Sequence, residues 1–502
     1  MNGEAKAALP VWVAAGALAV GVTADLTLRS VPWGLNVTLC TLLLVAVGAA
    51  LVRYHGLPVS SEARWLTLTA LLLALAFARR DSGALAFLDL MALIATLGLA
   101  AATLRGVRLA RLNLVDQVLQ VGAAAAYSLV GAFPLLARVA RWAQQPKSAG
   151  LSRARAVALG ALIASPLLLG FGILFAGADP VFGRALQGVF TIDPGVAASH
   201  AFLVTFFTGI SAGYLSWAVL HPVDIPSRMP AVLRSPVAAL PVFTALALTI
   251  GLFALFVAFQ AGELFGGRAW VARAAGPSYA EYARSGFFEL LAVAALVLPL
   301  LIAADRAVGG HSGGDGRWFR ALARTLLVLL FIIIVSAVNR MRLYVAAYGL
   351  SEIRVYATVA MAYVTFLASW LGVRLIRRRR RRFAPGALIA GYVTLTGLHV
   401  VNPDALIVRV NMSRVTTKPF DAGYATSLSA DAIPALVAGL PKLDAVTRCR
   451  VEQRLRRRWL AIDESTPRDW RSANWASFTE ARLARHWTSI PYVHNCSSPE
   501  AT

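Results

Sequence analysis

Apolar stretches of about twenty residues recur along this chain, and no other feature constrains its fold more. A helix needs about 20 mostly apolar residues to cross a bilayer, where its backbone polar groups must be satisfied internally. Such stretches run approximately over residues 8–24, 33–52, 64–78, 84–104, 154–176, 196–220, 236–260, 286–304, 320–339, 353–375 and 384–401, about eleven in all. The third is short and needs a tilt or a thin local bilayer. Hydrophobic residues make up 58% of the chain and charged residues 15%, with a mean hydropathy of +0.66. Soluble domains carry about 25% charged residues. A soluble enzyme of this composition would expose large apolar patches, and a disordered chain would be polar. Both are excluded. The expected fold class is all-α, a polytopic transmembrane helical bundle over 1–401 followed by a small, mostly helical extramembrane domain over 402–502.

The net charge of +23 follows membrane orientation rather than nucleic acid, because basic residues collect in cytoplasmic loops. Arg105, Arg108, Arg111, Arg138, Arg141, Lys147, Arg153 and Arg155 form a basic cytoplasmic interfacial segment around 105–155. Arg228 and Arg234, then Arg306, Arg317, Arg320 and Arg324, then Arg374 and the run Arg377–Arg382 follow later spans. These are alternate loops, so all fall on one side. The amino terminus is then cytoplasmic and the carboxyl terminus outside. The run Arg377–Arg382 is expected to anchor on anionic lipid headgroups.

Residues 112–142 would break this alternation if they crossed, and are read as an interfacial or re-entrant helix. Residues 8–24 lack a small-residue cleavage pattern and are read as an uncleaved first span. Gly309, Gly310, Gly313, Gly314 and Gly316 form a flexible connector, since no Lys-Ser/Thr follows in phosphate-loop spacing.

After about Asn402 the composition changes. Residues 403–502 hold 14 Lys/Arg and 10 Asp/Glu, a balanced surface. Helical periodicity marks Ala430 to Leu440, opened by Ser429 and Asp431, then Leu443 to Leu460, then a stretch around Ser472 to Trp487. Cys449 and Cys496 are this region's two cysteines. In an oxidising compartment they pair; otherwise they stand as two free thiols. Cys40 reads as a small buried residue within the second span.

Polar residues inside a membrane are costly and are functional suspects by default. Asp89, within the fourth span, is the clearest; Asn339, His200 and His399 lie nearer span ends. Polar and aromatic residues also cluster where the charge pattern puts the outer face. One group is Tyr279, Glu281, Tyr282, Arg284 and Glu289. Another is Arg340, Arg342, Tyr344, Tyr348, Glu352, Arg354 and Tyr356. Asp179-Pro180-Val-Phe182 and Asn402-Pro403-Asp404 complete the set. On a helix, Glu281 and Arg284, Tyr344 and Tyr348, and Glu352 and Tyr356 would share faces. The bland reading is an aromatic belt with snorkelling arginines.

The same segments carry a resemblance. Tyr279 to Arg284 running to Leu290, Arg342-Leu-Tyr344 through Tyr356, Asn402-Pro-Asp404, Asp421 to Pro434, and Asp469-Trp470-Arg471-Ser472 before Asn474-Trp475 are similar to motifs of a bacterial membrane-protein family. It is catalogued only as a domain of unknown function, the 4153/4173 group. The resemblance covers roughly residues 155–490. It implies a bacterial multi-span protein and assigns no catalytic residue.

Catalytic motifs fail. Gly209-Ile-Ser211-Ala-Gly213 fits a nucleophile pattern, but the same residues make a Gly-x-x-x-Gly packing motif, and a serine nucleophile needs a base within reach. No His-Glu-x-x-His occurs, and no metal or cofactor is expected. A multi-span glycosyltransferase acting on a lipid-linked sugar would place acidic residues in the first external loop, where Asp25 stands without an acidic neighbour. A secondary transporter would show internal repeats and broken helices. Neither is evident, though Asp89 keeps that class open. The reading that fits best is a non-catalytic protein of the bacterial cell envelope, in the inner membrane. It would act in signalling, scaffolding or assembly through the outer cluster, the tail and an envelope partner yet to be identified.

Overall fold

The computed structural model describes residues 3–143, 194–220, 239–274, 287–308, 315–376, 383–465, 469–487 and 496. Among the described residues every regular element is a helix. In chain order these are α1 (Gly3–Leu28), α2 (Leu35–Tyr54), α3 (Ser61–Phe77), α4 (Gly83–Leu104), α5 (Leu114–Val130), α6 (Ala132–Ala143) and α7 (Pro194–Val219). Then come α8 (Ala239–Ala274), α9 (Phe287–Val308), α10 (Asp315–Tyr348), α11 (Glu352–Ile376) and α12 (Phe383–Val401). The remainder are α13 (Pro403–Met412), α14 (Ala422–Ser427), α15 (Ile433–Gly439), α16 (Ala445–Ser465) and α17 (Trp475–Trp487), with short 3₁₀ turns between them.

Nine of the described helices are long and apolar enough to cross a membrane, or ten if the bent pair α5–α6 counts as one span. The number expected from sequence was about eleven, and the difference has two sources. Residues 154–176 lie outside the described residues, and α3, at 17 residues, is too short to reach across unaided. The 112–142 stretch forms two helices bent by 56°. At the bend, Gly131 donates its amide to the Tyr127 carbonyl at 2.7 Å.

The surface confirms the solvent. On α8, Leu248, Leu252, Leu255 and Phe259 are 71%, 66%, 56% and 72% exposed. They fall on one face at helical spacing, an apolar stripe that lipid accepts and water does not. This is a polytopic helical membrane protein.

The chain divides into two compact units. The first holds residues 1–109, 115–225 and 460–482; the second holds 110–114, 226–459 and 483–502. In the first, α1 packs along α7 around buried Val13, Ala17, Ala212, Leu215 and Trp217, and α3 packs along α4. In the second, α8 to α11 enclose Leu246, Leu301, Leu326, Leu330, Ile333 and Ala368. The residues after 402 are shared, with 403–459 in the second unit and 460–482 in the first.

Local chemistry sets the breaks. Asn402 takes a left-handed backbone, φ 55°, and its side chain accepts from the Ala405 amide at 3.3 Å, with Pro403 opening α13. Asparagine tolerates that conformation better than most residues, so α12 ends there and the separate helix α13 begins. Asn36 knits the α1–α2 turn. Its carbonyl accepts from Gly34 and Val37, and its amide donates to the Ser30 and Thr27 carbonyls.

Candidate functional site

The turn from α10 into α11 is where the second unit concentrates its polar chemistry. The last carbonyls of a helix lack partners within it, and positive charge is favoured at that end. Arg414 supplies both needs. Its Nη1 donates to the Val345 carbonyl at 2.7 Å and its Nη2 to that of Ala346 at 2.5 Å. Arg354 reaches back over the same turn, donating to the Gly349 carbonyl at 2.6 Å. Its guanidinium lies 4.0 Å from the Tyr344 ring centre and 5.7 Å from that of Tyr348, and those rings meet edge to face at 5.3 Å. Such cation–π contacts contribute about 1 kcal/mol each.

Asn411 on α13 pairs with the turn as a strand neighbour would. The Leu350 amide donates to its Oδ1 at 2.8 Å, and its Nδ2 donates to the Leu350 carbonyl at 2.9 Å. Beside this pair Gly349 has φ +78°, and a Cβ there would stand 2.7 Å from Asn411 Oδ1. Gly349→Val is therefore expected to destabilise the second unit by about 2 kcal/mol, combining left-handed strain with loss of the Asn411 clamp. Thermal unfolding in detergent checks this, and an unchanged midpoint would contradict it.

The α11 amino terminus is closed by Tyr424, whose hydroxyl accepts from the Glu352 amide at 2.8 Å. Next to it Asp404 is fully buried. Ser429 donates its hydroxyl to Asp404 Oδ2, while Oδ1 has no hydrogen-bond partner among the described residues. Burial pushes this carboxyl up to about 6, and nearby Glu352 and Asp431 push the same way. Burial likewise raises Tyr424. Arg458 on α16 holds the adjoining loop through the Thr426 and Leu428 carbonyls, at 3.0 and 2.5 Å. An open cavity of 230 Å³ lies alongside, lined by Tyr348, Gly349, Asn411, Arg414, Lys418 and Tyr424 among others.

Several residues singled out by sequence therefore meet here: Tyr344, Tyr348 and Arg354 in one group, Glu352 and Asp404 in the next. Arg340 and Arg342 lie on α10 and Tyr356 on α11, while Glu289 is exposed at the start of α9. Tyr279, Glu281 and Arg284 lie outside the described residues, as do Arg377–Arg382. Cys449 on α16 and Cys496 are joined in a disulfide, with Cα atoms 5.6 Å apart. Asp89 is 1% exposed within α4. Asn411, Arg414 and Tyr424 escaped sequence reading, because an isolated asparagine, arginine or tyrosine in a tail carries no spacing signal.

The first unit holds a second cluster that sequence reading did not assemble. Asp25, 3% exposed near the end of α1, accepts from Arg29 Nε at 2.8 Å and faces His200 Nδ1 at 2.5 Å. Both Arg29 terminal nitrogens donate to the Ser199 hydroxyl at 3.0 Å. The pair is 175 residues apart in sequence, so only the antiparallel packing of α1 on α7 brings it together. Asp25→Ala strips two partners at once and is expected to cost about 2 kcal/mol. A midpoint shift in detergent measures it, and no shift would show that the cluster holds nothing.

Among the described residues no group of three or more His, Cys, Asp or Glu is placed to hold a metal ion. The arrangement is a set of polar clamps on helix ends in a multi-pass membrane protein. A family model described as a domain of unknown function (DUF4153) matches residues 67–439, well over half of the chain. The chain belongs to that family. No curated protein and no solved structure matches it.

Proposed function

We propose that this protein is a non-catalytic component of the bacterial inner membrane, with its amino terminus cytoplasmic and its carboxyl terminus outside. It acts in envelope signalling, scaffolding or assembly by docking a partner on the surface around Tyr348 and the cavity beside it. The observation that carries this reading is how the site's polar groups are used. Arg354, Arg414, Asn411 and Tyr424 all bond to backbone atoms of one helix turn. Arg414, Asn411 and Tyr424 tie residues after Val401 to the α10–α11 hairpin, Arg354 closes the turn from within it, and these four side chains present no nucleophile with a base. A partner bound at the tail would be felt directly by two membrane helices. The Cys449–Cys496 disulfide supports an oxidising surrounding for the tail.

The test is photo-crosslinking in living cells from position 348, where Tyr348 is 56% exposed, and from position 418 across the cavity. The expected result is a discrete envelope-protein adduct from both positions, undiminished by Asp89→Asn. A second reading, a secondary transporter, is favoured by the burial of Asp89 within a span. Absence of adducts, with substrate flux abolished by Asp89→Asn, would replace the first reading with that one.

A further inference from the structure

We infer that the segment Trp470 to Arg482 is a membrane-interfacial strap of the first unit, and that its exposed aromatic face is covered by lipid. Its depth is fixed by the atoms it holds. The Arg471 guanidinium donates to the Leu26 carbonyl, and Leu26 belongs to the span Ala8–Leu28. The Leu35 amide, which opens the next span, donates to the Ala473 carbonyl at 3.0 Å. The Trp475 amide donates to the carbonyl of Ala78, just past α3, at 2.8 Å. Asn474 Nδ2 bonds Asp81 Oδ1 at 2.9 Å, and Ser30 donates its hydroxyl to Asp469. Arg471 Nε also donates to Asp469 Oδ2 at 2.7 Å, and this bond together with that from Ser30 holds the Asp469 carboxyl down at about 2. The strap is thus stitched to the ends of α1, α2 and α3 at the level where their apolar stretches stop.

Its outward side is aromatic. Trp470, Trp475 and Phe478 are 62%, 66% and 54% exposed, and the Trp475 and Phe478 rings lie 5.9 Å apart. On α17, residues 475, 478 and 482 form one exposed stripe, while Ala476 and Glu480 turn inward. Tryptophan concentrates where hydrocarbon meets water, since its ring is apolar and its N–H needs a polar partner. Arg482 follows the rings on that stripe, suited to lipid phosphate. Trp33 and Val31 on the α1–α2 turn are also exposed and continue the apolar character of this end. Lipid meets this end whichever side of the membrane it faces.

The test uses the full-length protein with Cys40→Ala, in nanodiscs of phosphatidylethanolamine and phosphatidylglycerol. A spin label is attached at Phe478→Cys and, in a separate variant, at Trp475→Cys. Both native rings are exposed, so folding is retained. Power saturation compares collisions with oxygen, which enters lipid, and with a water-soluble nickel chelate. The expected result is oxygen accessibility severalfold above that of the chelate at both positions. Predominant chelate accessibility would show a strap in water and overturn the inference. Low accessibility to both reagents would show a protein covering the face, and would overturn it equally.

Discussion

Cys496→Ser is expected to lower the stability of the second unit by about 4 kcal/mol, the loop-closure effect of a bond joining residues some fifty apart. The two cysteines are separated by 47 positions. The bond joins Cys496 to α16, whose Arg458 in turn holds the loop that leads to Ser429 and Asp404. Denaturant unfolding in detergent, with and without reductant, measures the effect. The wild-type midpoint should fall on reduction to that of the variant, and the variant should not respond to reductant. Equal midpoints in all four conditions would mean that the disulfide contributes nothing to this fold.

Asp404→Asn is expected to change how stability depends on pH. The folded carboxyl sits at about 6 against an ordinary value of 3.8. Between those values the folded protein keeps a proton that the unfolded chain releases. Stability therefore falls as pH rises through that window, and the full penalty of about 3 kcal/mol is present above it. Below the lower value the carboxyl is protonated in both states and the penalty vanishes. Asparagine is neutral throughout and can still accept from Ser429. The variant should thus be the more stable at pH 8, with the difference shrinking towards pH 4. A difference that is flat with pH, or grows in acid, would show that burial does not dominate the site.

The membrane bundle was legible in sequence because length and apolar content are nearly sufficient to define a span. Three of the tail's helices, α15, α16 and α17, were legible too, whereas α13 and α14 were not. Ser429 accepts from the Asp431 amide at 3.3 Å where a helix start was expected, and the stretches after 443 and 472 became α16 and α17. Tyr344, Tyr348 and Arg354 were legible as a group, being close in sequence on either side of one turn. What could not be read was pairing at a distance. Asp25 with His200, Asn411 with Leu350, and Arg471 with Leu26 are joined by packing, and hydropathy patterns carry no information about which span lies beside which. The strap shows this most plainly. Its composition resembles a soluble domain, yet Asp469 to Trp475 bonds to three membrane-helix ends, because its side chains and amides match groups those ends leave unsatisfied.

The central claim, that the tail and the clamps on the α10–α11 turn face outward, is tested most directly by labelling Cys449 and Cys496 in intact cells. A membrane-impermeant thiol reagent is applied with and without mild reductant, with Cys40→Ala removing the third thiol. The account predicts labelling of both cysteines in intact cells only after reduction. Labelling that requires lysis would put the tail in the cytoplasm and contradict it.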